Sequence, residues 1–282
     1  NITGLGSSGE GVGKADGFTV FVHGALPGEK VSVKLFQVKK SYASGRILKI
    51  LEESPQRVKP QCAFYEKCGG CQLQHLNYEG QLNVKRQQVK DAIERIGHIT
   101  GCEVLPVLGM ENPWHYRNKM QFPAAKTEGK IQIGCYAALT HNVINIDDCL
   151  IQKQANNKIM QVVRQWMQQF NIAAYDETTG KGVVRHVMGR AGAKTGEVMA
   201  VIVTACYDIP HAGELVTMLK TEVDGLKSIV QNINKKRTNI IMGAKNRVLY
   251  GKSTIKDRLG NLKFNISPLS FFQVNSAQTE KL

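Results

Sequence analysis

Three cysteines, Cys62, Cys68 and Cys71, fall within ten residues in the stretch "CAFYEKCGGCQLQH". The spacing is C-x5-C-x2-C, which brings three soft thiolate ligands within reach of one centre. A structural zinc site draws on two C-x2-C pairs, or on one such pair with a nearby pair of histidines. Only Cys68 and Cys71 form such a pair here, and His75 is placed to complete a Cys3His set. Three close cysteines with a distant fourth suit an iron–sulfur cluster better, because the corners of a cubane lie far apart. Gly69 and Gly70 fit that reading, since backbone without Cβ atoms can turn tightly and aim N–H groups at sulfur. Cys102, Cys135, Cys149 and Cys206 remain for a fourth ligand. Cys135 ("IQIGCYA") and Cys206 ("VIVTACYD") sit in apolar strand patterns and read as small buried hydrophobes. Cys102 follows a glycine in a loop. Cys149 ("NIDDCLIQ") follows a strand and two acids, and spacing favours it over the other three.

The chain around these residues is globular in composition, with 42% hydrophobic and 21% charged residues over 282 positions, enough for one large or two to three small domains. No apolar run approaches the ~20 residues of a membrane-spanning helix, so no membrane partner is expected. The N-terminus lacks the basic-then-apolar pattern of a signal peptide; it also lacks an initiator Met, so further residues are expected upstream. Seven cysteines in such a chain point to metal or redox chemistry in a reducing, cytoplasmic setting rather than to a disulfide scaffold. The formal charge is +14, and the excess is local. From Lys227 to Lys263 there are ten basic residues and a single acid, Asp257. Tyr250, Gly251, Gly260 and Phe264 interleave with them, which favours a nucleic-acid partner over a merely solvated surface.

The elements that must position these groups follow from periodicity. Residues 1–52 carry β-branched and aromatic runs ("FTVFVHG", "KVSVKLFQV", "YASGRILKIL") broken by Gly and Pro, which predicts a small five-stranded β-barrel. "GLGSSG", Gly4 to Gly9, matches a dinucleotide-binding fingerprint, but a strand follows it where that motif requires a helix; Gly9 and Gly11 are read as a bend in the barrel. Residues 79–96 predict a helix with Leu82, Val89, Ile93 and Ile96 on one face and Gly97 at its end. From 101 to 262 a mixed α+β domain is expected, with strands at 119–125, 130–137, 143–146, 197–205, 228–234 and 247–251 and helices at 152–170 and 211–224. A new segment opens at 262 and leads into a helix capped by Asn275 or Ser276.

Taken together, "GEGVGKADGFTVFVHGALPGEKV", "CAFYEKCGGCQLQHLNYEGQLNVKRQQV", "PWHYRNKMQF", "IDDCLIQ" and "ISPLSFFQVNSAQTEKL" resemble the RNA uracil-5 methyltransferases that use S-adenosyl-L-methionine. The resemblance is closest to the members that modify 23S ribosomal RNA, as opposed to a transfer-RNA branch without the barrel and the cluster. It covers nearly the whole chain. It implies an α+β multidomain architecture: a TRAM RNA-binding, OB-like barrel at 1–52, an iron–sulfur module and helix at 53–100, a central domain at 101–262, and at 263–282 the first strand of a Rossmann-like methyltransferase domain.

The resemblance further implies a 4Fe–4S cluster on Cys62, Cys68, Cys71 and Cys149. It implies a cofactor contact from Gln273 and a target-base contact from Phe271, with Arg117 as a further RNA contact. The implied chemistry is addition of a Cys thiolate to carbon 6 of an extruded uracil, methyl transfer to carbon 5, and proton removal by a Glu. The family's catalytic Cys and Glu lie beyond "FFQVN", so none is expected among these 282 residues, and the chain alone is expected to be an inactive, monomeric, N-terminal piece that binds 23S ribosomal RNA. The rival readings are a non-catalytic RNA-binding iron–sulfur protein and a zinc-binding adaptor.

Overall fold

The computed structural model describes residues 1–282 and divides them into two compact units. The first comprises 1–65 and 71–109, the second 66–70 and 110–282. The four segments expected from sequence are thus grouped in two bodies, and the cysteine motif is shared between them.

The first unit opens with five strands, β1 (Ile2–Leu5), β2 (Gly11–Ala15), β3 (Phe18–His23), β4 (Lys30–Val38) and β5 (Tyr42–Glu52), in the order β1-β2-β3-β5-β4. Ile2 exchanges backbone hydrogen bonds with Gly28 and Glu29 just ahead of β4, so the first strand meets the entry to the last and the sheet curls shut. Ile2, Val20, Val22, Ala25 and Ala43 fill the interior. "GLGSSG" spans the β1–β2 turn with no helix after it, as its context required. Gly9 takes φ +91° there, and a Cβ on Gly11 would lie 2.8 Å from Ala25 Cβ. Below the barrel, Glu29 is buried and pairs with Arg57 at 2.6 Å.

The predicted helix forms as α1 (Tyr78–Asp91), followed by a π-helical turn over Ala92–Ile96 that ends at Gly97. Asn77 caps it, accepting from Gly80 N at 2.8 Å. Its expected apolar face is not a core face, however: Val89 and Ile96 are exposed, and Gly80 is the one buried residue of α1. The helix docks by polar groups instead. Gln81 donates to the carbonyls of Leu73 and Leu76, and Gln88 to that of Gly6.

The second unit is built on a seven-stranded sheet in the order β12-β11-β10-β9-β6-β7-β8. Its strands are β6 (Lys119–Thr127), β7 (Lys130–Tyr136), β8 (Val143–Asn145), β9 (Val184–Ala191), β10 (Val198–Thr204), β11 (Leu226–Ile233) and β12 (Lys245–Gly251). Every pairing is antiparallel except β10–β11, which α3 (Ala212–Glu222) connects as a crossover. Helix α2 (Gln154–Gln169) lays Ile159, Met160, Val163 and Trp166 against one face. The other face is covered by a hairpin of β13 (Ile255–Leu259) and β14 (Leu262–Ile266), whose Ile255 and Ile266 pack with Met188, Met199, Val201 and Val230.

Two expectations need correction. The strand β9, buried along its whole length, was not predicted, because Arg185, His186 and Arg190 interrupt its apolar pattern. The segment beginning at 262, expected to open a Rossmann-like sheet with partners elsewhere, pairs with β13 as the second strand of this hairpin. The helix beyond it is present as α4 (Ser276–Lys281), with Asn275 as its cap.

Candidate functional site

The site-bearing stretches of the second unit meet along residues 115–119. His115 N donates to Leu150 O and Arg117 N to Ile151 O, both at 2.8 Å, while Lys153 N returns a bond to Arg117 O. This short ladder lays "HYRN" beside "CLIQ". The opposite edge of the same stretch grips the C-terminal segment: Asn118 N donates to Val274 O, and the Asn118 side chain donates to Gln273 O at 2.9 Å and to Ser276 Oγ at 3.0 Å. Asn118 is buried, so these bonds are shielded from competing water.

Arg190, on β9, adds a second hold. Its guanidinium donates to the carbonyls of Pro268 and Ser270. The backbone of 268–276 is thereby fixed from two sides, while Phe271 is 87% exposed and the Gln273 side chain also faces solvent. An aromatic face and an amide are presented outward on an anchored loop. That arrangement suits stacking on a planar ring and hydrogen bonding to a polar ligand. The donor set is compatible with S-adenosyl-L-methionine, for which Gln273 offers both a donor and an acceptor.

Positive charge collects at the same place. Lys119 is half-buried, and its pKa is pushed down first by burial and then by Arg190 and Arg117. Burial alone brings Arg190 down to about 10. Neither Lys119, Arg117 nor Arg190 has an acidic partner within ion-pair distance. Cations held together without carboxylates are an anion-binding arrangement. Sequence reading found Arg117 but missed Asn118, Lys119 and Arg190; the last was hidden in the unrecognised strand.

The cysteines are placed as follows. Cys62 and Cys71 belong to the first unit, Cys68 and Cys149 to the second. Gly70 N donates to Cys68 Sγ at 3.3 Å, the N–H-to-sulfur contact that the glycine pair suggested. Gly69 N instead donates to Tyr136 O. Cys135, expected to be an inert buried residue, brings its sulfur against Cys68. Its hydrogen bond, with that of Gly70, outweighs burial and lowers the Cys68 thiol to about 6. Cys149 sits on the turn between β8 and α2, where buried Asn157 clamps it by accepting from Cys149 N at 3.1 Å and donating to Cys149 O at 3.2 Å. Cys206 lies just past β10, only partly buried, and donates to Asp208 O; Cys102 is exposed. His75 is buried in the first unit, bonded through Nδ1 to Tyr65 Oη, with burial lowering it to about 4. No group of three or more His, Cys, Asp or Glu side chains is arranged to hold a metal ion. The individual features do suit thiolate ligands: an N–H aimed at Cys68, a depressed thiol, and a rigid turn at Cys149.

The basic stretch from Lys227 to Lys263 forms an exposed surface in which every cation but half-buried Arg247 faces solvent. Its single acid does not offset it. Asp257 is 1% exposed and accepts from the N–H groups of Ala193 and Lys194. The loop carrying Lys235, Lys236 and Arg237 is held from beneath by buried Arg185, which donates to the carbonyls of Asn234, Lys236 and Thr238.

Comparison with known proteins agrees with this organisation. The TRAM domain family matches residues 1–48. A protein of Clostridium tetani described as an uncharacterized RNA methyltransferase is 50% identical over 281 residues, covering 100% of this chain and 61% of the relative. One of Caldanaerobacter subterraneus subsp. tengcongensis, described likewise, is 50% identical over 282 residues, covering 100% of this chain and 62% of the relative. The chain thus spans about three fifths of the length of these curated relatives. Among solved structures, the Pyrococcus abyssi tRNA (uracil-54, C5)-methyltransferase in complex with S-adenosyl-L-homocysteine superposes with a TM-score of 0.76 at 25% identity, covering 99% of this chain and 62% of that one. A tRNA-modifying protein therefore shares the fold of almost every residue here, the N-terminal barrel included. The barrel does not separate ribosomal from transfer RNA substrates, contrary to the expectation drawn from sequence. No helix is long and apolar enough to cross a membrane.

Proposed function

We propose that this chain is part of an RNA uracil-5 methyltransferase, which methylates carbon 5 of uracil in RNA with S-adenosyl-L-methionine as donor. The observation that carries this is an anchored segment, 268–276, that presents Phe271 and Gln273 outward and is held by residues next to the cations Arg117 and Lys119, which have no acidic partner. In this reading Phe271 contacts the extruded base, Gln273 contacts the cofactor, and Arg117 and Lys119 hold the phosphates that flank the target, while buried Arg190 fixes the loop. When bound, S-adenosyl-L-methionine supplies the electrophilic methyl group. These residues bind and orient; preorganising them is what Asn118 and Arg190 contribute.

The barrel and the Lys227–Lys263 surface extend the grip along the RNA backbone. We take 23S ribosomal RNA as the substrate, on the family resemblance of the motifs, and cytoplasmic RNA as its setting. Transfer RNA is the second reading, favoured by the Pyrococcus neighbour. We further propose a 4Fe–4S cluster on Cys62, Cys68, Cys71 and Cys149, with a structural role. The cysteine spacing, the Gly70 N–H to Cys68 and the Asn157 clamp on Cys149 support it.

The deciding experiment offers the full-length protein, with the Cys and Glu expected outside these 282 residues, methyl-labelled S-adenosyl-L-methionine with unmodified 23S ribosomal RNA or unmodified tRNA, followed by nucleoside analysis. Label in 5-methyluridine from 23S RNA supports the proposal, and label from tRNA alone selects the second reading. Label in neither, with a preparation that binds RNA, would return the choice to a non-catalytic RNA-binding protein.

A further inference from the structure

The sheet of the second unit has a recess of about 690 Å³ where β6, β7 and β8 meet the 173–182 loop. None of the residues discussed as cofactor or cluster contacts lines it. Tyr136, Tyr175 and His141 supply aromatic surface, and Arg185 and His186 form its inner wall. Both inner residues are more than nine-tenths buried, yet neither is satisfied: His186 Nδ1 and Arg185 Nε have no hydrogen-bond partner. A buried polar atom without a partner carries an uncompensated desolvation cost, which a base edge that reaches it would relieve. Arg185 cannot turn away to find one, because its other nitrogens are committed to the 234–238 carbonyls and its guanidinium lies 4.5 Å over the Tyr175 ring.

We propose that this recess receives one unpaired nucleobase of the bound RNA. The inference rests on the reading that the protein binds RNA. The recess is within the size range of small-ligand sites and far larger than an ion needs. Its aromatic walls suit a flat ring: Tyr136 is half-buried and tilted against His141, with ring centroids 5.3 Å apart. Burial lowers His186 to about 4, so at neutral pH the ring is uncharged and offers one donor and one acceptor, the combination found along a base edge. A free phosphate fits less well. It would meet a neutral imidazole inside, and Asp176 and Glu177 at the rim. The rim also carries exposed Lys126 and Lys181, which can hold the phosphate attached to an inserted base while the base goes inward. Arg185 ties the recess to the Lys235–Arg237 loop, so a strand lying on that basic surface passes close to the opening.

The test uses the whole chain and a fluorescein-labelled single-stranded RNA dodecamer of mixed sequence, in which uridines are replaced by 4-thiouridine. Long-wavelength crosslinking and peptide mapping should place adducts on Tyr136, His141 or Tyr175. Two variants probe the recess: His186→Phe, which fills it, and Tyr136→Ala, at the rim and outside the core. Each should weaken binding about tenfold, the scale of one lost base–aromatic stack. The loss should shrink when the dodecamer is replaced by one made entirely of abasic nucleotides. Thermal unfolding shows whether His186→Phe folds; if it does not, Tyr136→Ala and the crosslinks decide. RNA binding by the wild type with unchanged affinity in the folded variants, or with adducts confined to other residues, overturns this inference alone. Failure of the wild type to bind the dodecamer at low salt overturns the RNA reading, and this inference with it.

Discussion

The side-chain amide of Asn118 donates to the backbone carbonyl of Gln273 at 2.9 Å, across 155 residues of sequence. The same amide donates to Ser276 Oγ at the start of α4. Asn118→Ala removes both bonds and leaves a part-buried carbonyl and a buried hydroxyl without that donor, so stability should fall by about 1–3 kcal/mol. Hydrogen exchange should quicken in α4 while the β9–β11 amides stay protected. Equal exchange in α4 before and after substitution would show that Arg190 and the Asn118 backbone N–H to Val274 O hold the segment without the side-chain amide.

Arg190 carries the other side of that loop. Arg190→Met keeps an unbranched apolar stem but abandons the Pro268 and Ser270 carbonyls, and Arg190→Lys ends one bond short of the Nη2 that donates to both. Both variants should loosen residues 268–276. With labelled S-adenosyl-L-methionine, both should weaken cofactor binding in parallel with Gln273→Ala and leave RNA affinity within about threefold.

The cluster proposal is checked by anaerobic purification with iron and sulfide analysis. Four iron and four sulfide per chain are expected, lost in Cys149→Ser and retained in Cys102→Ser. One zinc per chain with no sulfide sinks the idea. Cys135→Ala is the informative third variant: if Cys135 were the fourth ligand in place of Cys149, its removal and not that of Cys149 would abolish the iron.

Replacing Lys235 and Lys236 with Ala should flatten the salt dependence of RNA binding, lowering the slope of log K against log salt by about 1–2. Arg237 belongs in a separate variant, because it also donates to Thr179 O at 2.8 Å and its loss disturbs the loop as well as the charge. An unchanged slope in the double variant would make this surface a solvated one with no share in binding.

Glu29 and Arg57 form a buried pair with bonds of 2.6 and 2.9 Å, and Glu29 also accepts from Leu26 N. Removing one partner strands the other, so Arg57→Ala should cost about 3–5 kcal/mol in the first unit. Burial opposes ionisation of Glu29, but Arg57 and the Leu26 N–H outweigh it and lower its pKa. A lowered carboxylate pKa means stability that is complete above the ordinary carboxylate value and lost as pH falls through the folded one. Urea unfolding in the acidic range should show a steeper decline for wild type than for Arg57→Ala.

Much of this was legible in the chain alone. β-branched and aromatic runs located three of the barrel strands, β3, β4 and β5, with the count of five read from the fold pattern, and the helix over 152–170 appeared as α2 within two residues at each end. Asn275 announced its cap because N-capping is a local bond between a side chain and the third amide after it. What failed, failed for nonlocal reasons. Strand β9 contains Arg185, His186 and Arg190, which read as polar. Arg185 and Arg190 are buried because each bonds at a distance, to the 234–238 and the 268–270 carbonyls, and His186 is carried inward between them as part of the same strand. The α1 stripe misled in the opposite sense, since periodicity reports a capacity for burial and not the presence of something to bury against.

The sequence by itself determined the residue types available for chemistry: the thiol spacing, the basic stretch, Arg117, Phe271 and Gln273, together with the local elements that carry them. Only the tertiary structure decided which of them are neighbours. Asn118 meets Gln273, Cys135 meets Cys68, and Asp257 turns inward so that the cations around it stay uncompensated. Local geometry is set by short-range torsional preferences and hydrogen bonds. Proximity between distant residues depends on how strands order themselves in a sheet, and that order is settled by the packing of every element at once.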